Sequence, residues 1–480
     1  MNSYLKLLNL AAPEAIITLT ALLVLGAHIL LSGQGKNTRI ECTFLSVTGI
    51  LGTILLLMFH PQHDTFSLFN GMLVVDPLCR LFKIICLVMA LLTVLMIHDD
   101  FFGAHTGEYF ALLLFATVGL MLLVGSQELL MIFIGLELTG LSLYVMTGFQ
   151  KSDRKSAEAG LKYFLFGSIA SAFTLFGLSL IYGMCGTTGL VSISQTLSIG
   201  PVQPLLVAGL VMTLVGFAFK IAAAPFHLWA PDAYQGGPIT SATFIASGSK
   251  VASFFVLGKI LLTGFGPLQA HWTPLLAFLA AASIIVGNFA ALAQSSVRRL
   301  LAYSAVAHAG YTLIGLAAGG RDGFAATLFY TTIYALTIIG AFGVVSVVMR
   351  ETGGDDIVNF TGLRARSPFL AGCMTIFLLS LAGLPPLVGF FGKFYLFAVA
   401  MRQPNLLWLV AVALAGSLVS LYYYLAVLKA VMVDPSAVKL PTIHIPAVQR
   451  RVLLIIAVSV LMLGVFPKAL LIHILAALPR

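Results

Sequence analysis

Five ionisable side chains stand deep within long apolar segments of this 480-residue sequence, at Glu137, Lys220, Lys250, His308 and Lys393. A charge at the middle of a membrane costs at least ~2.5–3.5 kcal/mol, so a charged group that is kept there is a functional candidate. Lysine, histidine and carboxylate side chains can each bind and release a proton. The residue types and their depth therefore indicate groups that could carry protons inside a membrane.

Four further basic residues lie nearer to the ends of apolar segments, where long side chains can reach the membrane surface. They are Arg80, Lys83, Lys162 and Lys259. Lys162 has a partner on the same helix face, because Glu158 precedes it by one turn. For all four, both a surface-reaching position and a functional role stay open.

The carboxylate of Glu137 needs a cationic partner at its depth, and the nearest deep candidates are Lys220 and Lys250. We predict that Lys220 pairs with it, and that loss of this pairing removes the main stabiliser of the lysine charge. Glu14 follows a proline at the start of the first segment, where a helix N-terminal charge accounts for it. His308 fits either a proton relay or a hydrogen-bonded interior histidine.

Prolines interrupt the chain twice, each time close to one of the deep lysines. Lys220 is followed by IAAAPFHLWAP, in which Pro225 cannot donate a hydrogen bond to the carbonyl of Ile221 and so breaks the helix. His227 lies in the same run. The sequence therefore predicts a broken seventh span.

The second interruption is the run LAGLPPLVGFFGKFYLF, which places Pro385 and Pro386 shortly before Lys393. The prolines free the carbonyls of Leu381 and Ala382, and a charged lysine is a suitable donor for such acceptors. Two ordinary proline kinks would be the simpler interpretation. Two breaks beside lysines, five spans apart, favour instead the ion site that broken helices form in inverted-repeat transporters.

Membrane-spanning helices must position these groups, because 60% of the residues are apolar and 9% are charged. This composition excludes a soluble globular protein. The first segment counts as a span and not as a signal peptide, since no cleavage site follows it. We predict an all-α polytopic membrane protein with fourteen spans near 13–32, 41–59, 77–97, 108–125, 128–149, 158–184, 204–228, 238–263, 274–294, 299–318, 323–349, 367–401, 404–432 and 450–474.

An internal repeat relates the fourth to eighth spans to the ninth to thirteenth. At an offset of 171 residues, Glu137 falls on His308. Because each repeat has an odd number of spans, the second must be inverted in the membrane. The predicted organisation is a three-helix N-terminal segment, two inverted five-helix repeats and a C-terminal helix, at 1–107, 108–273, 274–432 and 433–480.

Lysine and arginine residues concentrate in the odd-numbered connections, which hold fourteen against five in the even-numbered connections and the termini. Lys36 and Lys439 belong to the first group, and Lys6 and Arg480 to the second. The asymmetry predicts that the odd connections are cytoplasmic and that both termini lie on the opposite face of the membrane. The net charge of +9 is scattered along the chain, which favours a topological role and no nucleic-acid partner.

Motifs for a bound cofactor or metal are not found in the sequence. We find no dinucleotide-binding glycine motif, no phosphate-binding loop and no paired histidines or cysteines at ligand spacing. The five cysteines lie mostly inside apolar segments, and we expect buried, unreactive thiols.

The run FKIAAAPFHLWAPDAYQGGPITSATFIASGSK at 219–250 resembles the antiporter-like membrane subunits of the proton-pumping NADH:quinone oxidoreductase, respiratory complex I, and of Mrp-type antiporters. Its Tyr-Gln-Gly-Gly-Pro continuation is similar to subunit N. Glu137, the AYSAVAHAGY run and the Leu-Pro-Pro break before Lys393 agree, so that the resemblance extends over the fourth to thirteenth spans. Lysine at 393 argues against subunit M, which usually has glutamate there.

The resemblance implies a hydrated central axis that conducts protons and is driven by quinone reduction in other subunits. Its residues would be Glu137, Lys220, Lys250, His308 and Lys393, supported by Lys162, Pro225, His227, Pro385 and Pro386. NADH, FMN, iron–sulfur clusters and quinone would bind to partner subunits and not to this chain. The implied partners are neighbours of the subunit M and K classes, the peripheral redox arm and the lipid bilayer.

A freestanding Mrp-type cation/proton antiporter is the alternative. It would use the same polar groups without a redox partner. A purely structural anchor does not explain five costly polar groups in the membrane interior.

Overall fold

A computed structural model describes residues 10–32, 38–59, 65–97, 105–199, 201–435 and 442–478. Lys6, Lys36, Lys439 and Arg480, which contributed to the predicted orientation, lie outside the described residues. The chain divides into two compact units. The first comprises Met1–Lys220, Gly236–His271 and Ala477–Arg480, and the second Ile221–Gln235 and Trp272–Ala476.

The first unit is built of helices and one small hairpin. Strands β1 (Phe66–Leu68) and β2 (Leu73–Val75) pair antiparallel, with Phe66 opposite Val75. The helices are α1 (Ala12–Ser32), α2 (Arg39–Phe59), α3 (Pro77–Ile97), α4 (Thr106–Val124), α5 (Leu129–Thr147), α6 (Arg154–Cys185), α7 (Leu190–Ile199), α8 (Pro204–Lys220), α10 (Ile239–Phe244) and α11 (Lys250–Lys259). Two π-helical turns, Ile245–Ser249 and Ile260–Gly264, flank α11.

The second unit is also helical, with short 3-10 turns at Ile357–Phe360 and Pro404–Leu406. Its helices are α9 (Trp229–Gly236), α12 (Gln269–Leu292), α13 (Val297–Ala318), α14 (Gly320–Thr352), α15 (Leu363–Arg366), α16 (Pro368–Ala382), α17 (Val388–Ala400), α18 (Leu407–Met432), α19 (Ala447–Val465) and α20 (Lys468–Ala477). Helices α13 and α14 are buried along almost their whole length.

Twelve helices of the described residues are long and apolar enough to cross a membrane. The predicted seventh and twelfth spans are not among them, because each is split into shorter helices. Helix α8 ends at Lys220 and α9 begins at Trp229, while α16 ends at Ala382 and α17 begins at Val388. The all-helical membrane fold is confirmed and both interruptions occur at the predicted prolines, whereas the count of fourteen stays a prediction.

The two units share a local arrangement that fits the predicted repeat. Glu128 caps α5 and Ser296 caps α13, each through its side chain. The same two residues form isolated β-bridges, with Gly189 and Asp356 respectively. In each unit a long helix lies between the two bridge residues, α6 in the first unit and α14 in the second. Each of these helices ends at a glycine of left-handed backbone conformation, three residues before Gly189 or Asp356. These shared features support the repeat, which itself stays a prediction.

Candidate functional site

Lys220 is buried and is the last residue of α8. The carbonyl end of a helix carries partial negative charge, so this position favours an ammonium group. The Lys220 Nζ lies 5.9 Å from the centroid of the Tyr144 ring. The sequence thus places this lysine where the helix end and an aromatic ring accommodate its charge.

Glu137 faces the same cavity as Lys220 but does not form the predicted direct ion pair with it. Its carboxylate accepts a hydrogen bond from the hydroxyl of Ser171 on α6. Glu137 and Lys220 are the charged residues in the lining of a small cavity of about 20 Å³, which Tyr144 also lines. A cavity of this size has room for about one water molecule. The expected pairing is therefore corrected to two charges that face each other across a small cavity.

Lys250 is buried and begins α11, directly after the π-helical turn Ile245–Ser249. Such π turns occur frequently at functional sites. Lys250 is not part of the lining of the Glu137 cavity.

Lys162 is not part of the lining of that cavity either. Its ammonium group pairs with Glu158 at 2.8 Å, on a face of α6 where 40% of the lysine side chain is exposed. The predicted contact between Lys162 and Glu158 is confirmed.

His308 lies at the centre of a buried hydrogen-bond network in the second unit. Its Nδ1 is 2.6 Å from the hydroxyl of Tyr330, and its Nε2 is 3.1 Å from the hydroxyl of Tyr424. Tyr424 also lies 2.7 Å from the hydroxyl of Ser304. A small cavity of about 10 Å³, lined by His308, Tyr330 and Tyr334 among others, adjoins the network. His308 is therefore a hydrogen-bonded interior histidine, as one of the two sequence-based interpretations expected. Because both of its ring nitrogens contact hydroxyl groups, the same arrangement is also compatible with a proton relay.

Lys393 is buried in α17, beyond the second break. Its Nζ donates to the carbonyl oxygen of Ala382 and to the hydroxyl of Ser417, both at 2.9 Å. The same ammonium group lies 4.9 Å from the centroid of the Tyr311 ring. The carbonyl of Ala382 is one of the two that the prolines were predicted to free, so the expected donor role of Lys393 is present.

Side chains stabilise both proline breaks. In the first, the amide of Ala224 donates to the hydroxyl of Ser283 at 2.9 Å. His227, in the same break, is buried beside the Tyr303 ring, with centroids 6.4 Å apart. In the second, the amide of Gly389 donates to the hydroxyl of Ser380 at 3.2 Å. At both breaks a serine hydroxyl thus accepts a hydrogen bond from a backbone amide next to the interruption.

Sequence reasoning missed the hydroxyl partners of the charged residues, Ser171, Tyr330 and Tyr424. These contacts join residues 22 to 116 positions apart, so no local pattern displays them. For Tyr144 a signal was present, because it follows Glu137 by two helical turns and so lies on the same face of α5. The run of three tyrosines that ends at Tyr424 in an apolar span was a second signal.

Two lysines near span ends, Lys83 and Lys259, are buried inside the first unit. Lys83 pairs with Glu14 at 2.6 Å, and Glu14 also lies in the first turn of α1, where a helix N-terminal charge was expected. Lys259 is buried and donates to the thiol of Cys79 at 3.1 Å. Four of the five cysteines are buried as expected, and the exception, Cys185, is half-buried.

Residues 126–420 match a family described as NADH:quinone oxidoreductase/Mrp antiporter membrane proteins. A relative from Acidobacterium capsulatum, named NADH-quinone oxidoreductase subunit N 2, is 44% identical over 98% of this chain and 98% of its own length. The matched residues include all five deep ionisable groups and both breaks. Because the alignment with this relative covers 98% of the chain, the likeness extends beyond the fourth to thirteenth spans.

Solved structures agree with this likeness. A chain of respiratory complex I from Thermus thermophilus with bound aureothin is 33% identical, with a TM-score of 0.79 over 96% of this chain and 98% of that chain. A chain of the Mrp complex from Dietzia sp. DQ12-45-1b has a TM-score of 0.82 over 97% of this chain and 96% of that chain, at 19% identity. The second match is evidence for the fold alone.

Proposed function

Because the chain belongs to the family of NADH:quinone oxidoreductase/Mrp antiporter membrane proteins, we propose that it translocates protons as a subunit-N-type component of an NADH:quinone oxidoreductase. The predicted resemblance to subunit N is confirmed by the curated relatives. The enzyme is the whole oxidoreductase, to which this chain contributes ion movement. The Mrp-type alternative is less supported, because the Mrp structure shares the fold at low identity.

One observation carries this proposal: two buried lysines, Lys220 and Lys393, each lie beside a proline break, in units that also contain other groups able to exchange protons. Lys220 faces Glu137 across a cavity, and Lys393 lies in the unit that contains the His308 network. A membrane protein that needed only stability would avoid the cost of such groups. The presence of these buried ionisable groups is therefore explained by a role in ion transport.

In the first unit, Glu137 and Lys220 are the charges that respond to one another. When Glu137 is ionised, its field stabilises the ammonium form of Lys220 across the cavity. When Glu137 takes up a proton, that stabilisation is lost and Lys220 releases its proton more readily. Water in the cavity would accept the proton that Lys220 releases. A change in the charge of Glu137 would thus cause a proton to move.

In the second unit, the imidazole of His308 can accept a proton at one ring nitrogen and donate one at the other. Tyr330 and Tyr424 hold the two nitrogens in place. Lys393 keeps its charge while it donates to Ala382 and Ser417, and it would donate less well when neutral. Proton release from Lys393 is thus linked to the backbone of the second break.

The finer features of the predicted architecture belong to this proposal. They are fourteen spans, two inverted five-helix repeats with the boundaries given above, and both termini on the periplasmic side of a bacterial inner membrane. The partners would be neighbouring membrane subunits of the M and K classes and, through them, the peripheral redox arm. NADH, FMN, iron–sulfur clusters and quinone would be bound by those partners. Lys250 would carry protons together with the other deep ionisable groups, while Lys162 and His227 would support proton movement here.

The test is to reconstitute the purified complex into vesicles and to measure quinone reduction together with proton uptake. Lys220→Met and Glu137→Gln should each lower proton pumping about tenfold or more in an assembled complex. Lys429→Met is the matched control, since 69% of that lysine side chain is exposed. Native pumping in both site variants would disprove the proposal. Co-purification without flavin and iron–sulfur subunits would favour the antiporter alternative.

A further inference from the structure

Asp76, Cys79 and Lys259 form a second polar cluster in the first unit, at the beginning of α3, which we call the thiol cluster. The Sγ of Cys79 lies 3.1 Å from the Nζ of Lys259 and 3.2 Å from the Oδ2 of Asp76. The two charged groups are themselves 4.0 Å apart. The thiol is therefore in contact with an ammonium group on one side and with a carboxylate on the other.

The thiol cluster extends from the interior of the unit to its surface. Cys79 is fully buried, and 6% of the Lys259 side chain is exposed. Asp76 is 17% exposed and precedes α3, where its Oδ1 accepts the backbone N–H of Cys79 at 2.6 Å. This contact is an N-cap, with Pro77 at the first helical position. One carboxylate oxygen thus fixes the helix end, and the other faces the thiol.

The need to neutralise the charges of Lys259 and Asp76 does not by itself explain why a thiol is in contact with both. The neighbouring pair of Lys83 and Glu14 is in direct contact at 2.6 Å. Both lysines lie against the carbonyl end of α4, with Lys259 Nζ 3.5 Å from the oxygen of Val124 and Lys83 beside Gly125. A helix end of this kind favours cations. Direct contact between Lys259 and Asp76 would neutralise their charges in the same way. Instead, the Cys79 thiol, which can both donate and accept a hydrogen bond, is in contact with both of them.

A thiol has one proton and can accept another hydrogen bond at sulfur. The Cys79 Sγ has two acceptors at 3.2 Å, namely Asp76 Oδ2 and the carbonyl oxygen of Val124. When its proton points to Asp76, the hydrogen bonds run continuously from Lys259 through sulfur to the carboxylate. When it points to Val124, the chain is interrupted. Rotation of the thiol therefore opens and closes a path for a proton.

We propose that the thiol cluster is a proton relay between the interior of the first unit and the membrane surface at the start of α3. The proposal rests on the proposed function and adds a site to it. In the transfer step an N–H bond of Lys259 breaks as an S–H bond forms, while the original S–H bond breaks as an O–H bond forms on Asp76. The ammonium group becomes an amine, the carboxylate becomes a carboxylic acid, and the thiol is regenerated without any redox change.

The relay ends on the side of the membrane that the charge distribution predicts to be periplasmic. Asp76 follows the second connection of the chain, which is even-numbered. A proton on Asp76 can pass to surface water, and Lys259 is then reprotonated from the interior. The thiol cluster would thus serve proton release.

The experiment uses the assembled complex in vesicles and compares three cysteine variants. Cys79→Val fills the space but can neither donate nor accept, whereas Cys79→Ser keeps both abilities. Cys86→Val is the matched control, because Cys86 is a fully buried cysteine on the same helix. We expect Cys79→Val to lower pumping about tenfold, and Cys79→Ser and Cys86→Val to stay near the native rate.

Native pumping in Cys79→Val would overturn the relay and leave the proposed function intact, because the same vesicles show whether the unaltered complex pumps. Equal losses in Cys79→Val and Cys79→Ser would assign the effect to packing and would also overturn the relay. Asp76→Asn provides a second variant, since asparagine caps a helix as well as aspartate but takes up no proton. Asp76→Asn should pump as poorly as Cys79→Val, and native pumping by it would count against the relay.

Discussion

The ammonium group of Lys393 lies 2.9 Å from the carbonyl oxygen of Ala382, the last residue of α16. In an unbroken helix that carbonyl would accept the N–H of residue 386, which is a proline and has none. The lysine supplies the missing donor from the next helix segment. The charge of Lys393 is therefore tied to the backbone of the break, and removal of the charge weakens the contact that joins α16 to α17.

Lys393→Arg should slow turnover more than it reduces assembly of the complex. Arginine keeps the positive charge and several donors for Ala382 and Ser417, but it does not deprotonate. We expect a loss of proton pumping of about tenfold or more. The measurement is pumping in vesicles, normalised to the amount of assembled complex. Pumping at the native rate would show that Lys393 acts only as a fixed positive charge and does not deprotonate during turnover.

Tyr424→Phe should impair pumping, whereas Tyr422→Phe should not. The hydroxyl of Tyr424 lies within hydrogen-bond distance of both His308 and Ser304, so its loss leaves a ring nitrogen of the histidine without this partner. Tyr422 lies on the same helix with 70% of its surface exposed, and the identical change there removes no buried contact. A buried polar group left unpaired costs about 1–3 kcal/mol. Equal pumping by the two variants would exclude Tyr424 from the relay through His308.

The contact between Lys393 and Ala382 was predictable because it follows from a local rule. A proline removes one known donor, and a lysine a few residues away can replace it. The breaks and the depth of the five ionisable groups follow equally from apolar segments and prolines in the sequence. The helices, their interruptions and most of the candidate site residues could be predicted in this way.

The partners of those residues could not be predicted, because they depend on how distant helices pack. Glu137 contacts Ser171 and faces Lys220 across a cavity, although pairing of opposite charges suggested a direct contact. Lys83 and Glu14 form the direct pair instead, although each had a simpler local explanation. Charge balance decides that a partner must exist, but helix packing decides which group reaches it.

Gly389→Ala should destabilise the chain, whereas Gly372→Ala should not. A Cβ at Gly389 would overlap the carbonyl oxygen of Ser380, and a backbone atom cannot move aside as a flexible side chain can. Around Gly372, in the middle of α16, a Cβ meets nothing within 4 Å. Overpacking typically costs about 1–3 kcal/mol, while alanine in a helix interior is favoured over glycine by up to about 1 kcal/mol.

The measurement is the thermal unfolding midpoint of the purified complex in detergent, with both variants compared with the native chain. Gly389→Ala should lower the midpoint because it separates α16 from α17, and it should also lower pumping because Lys393 then loses its contact with Ala382. Gly372→Ala should leave both quantities at or slightly above their native values. An unchanged midpoint in Gly389→Ala would show that the two helix segments do not approach as closely as the packing at Ser380 requires. A lower midpoint with native pumping would show that the contact serves stability alone.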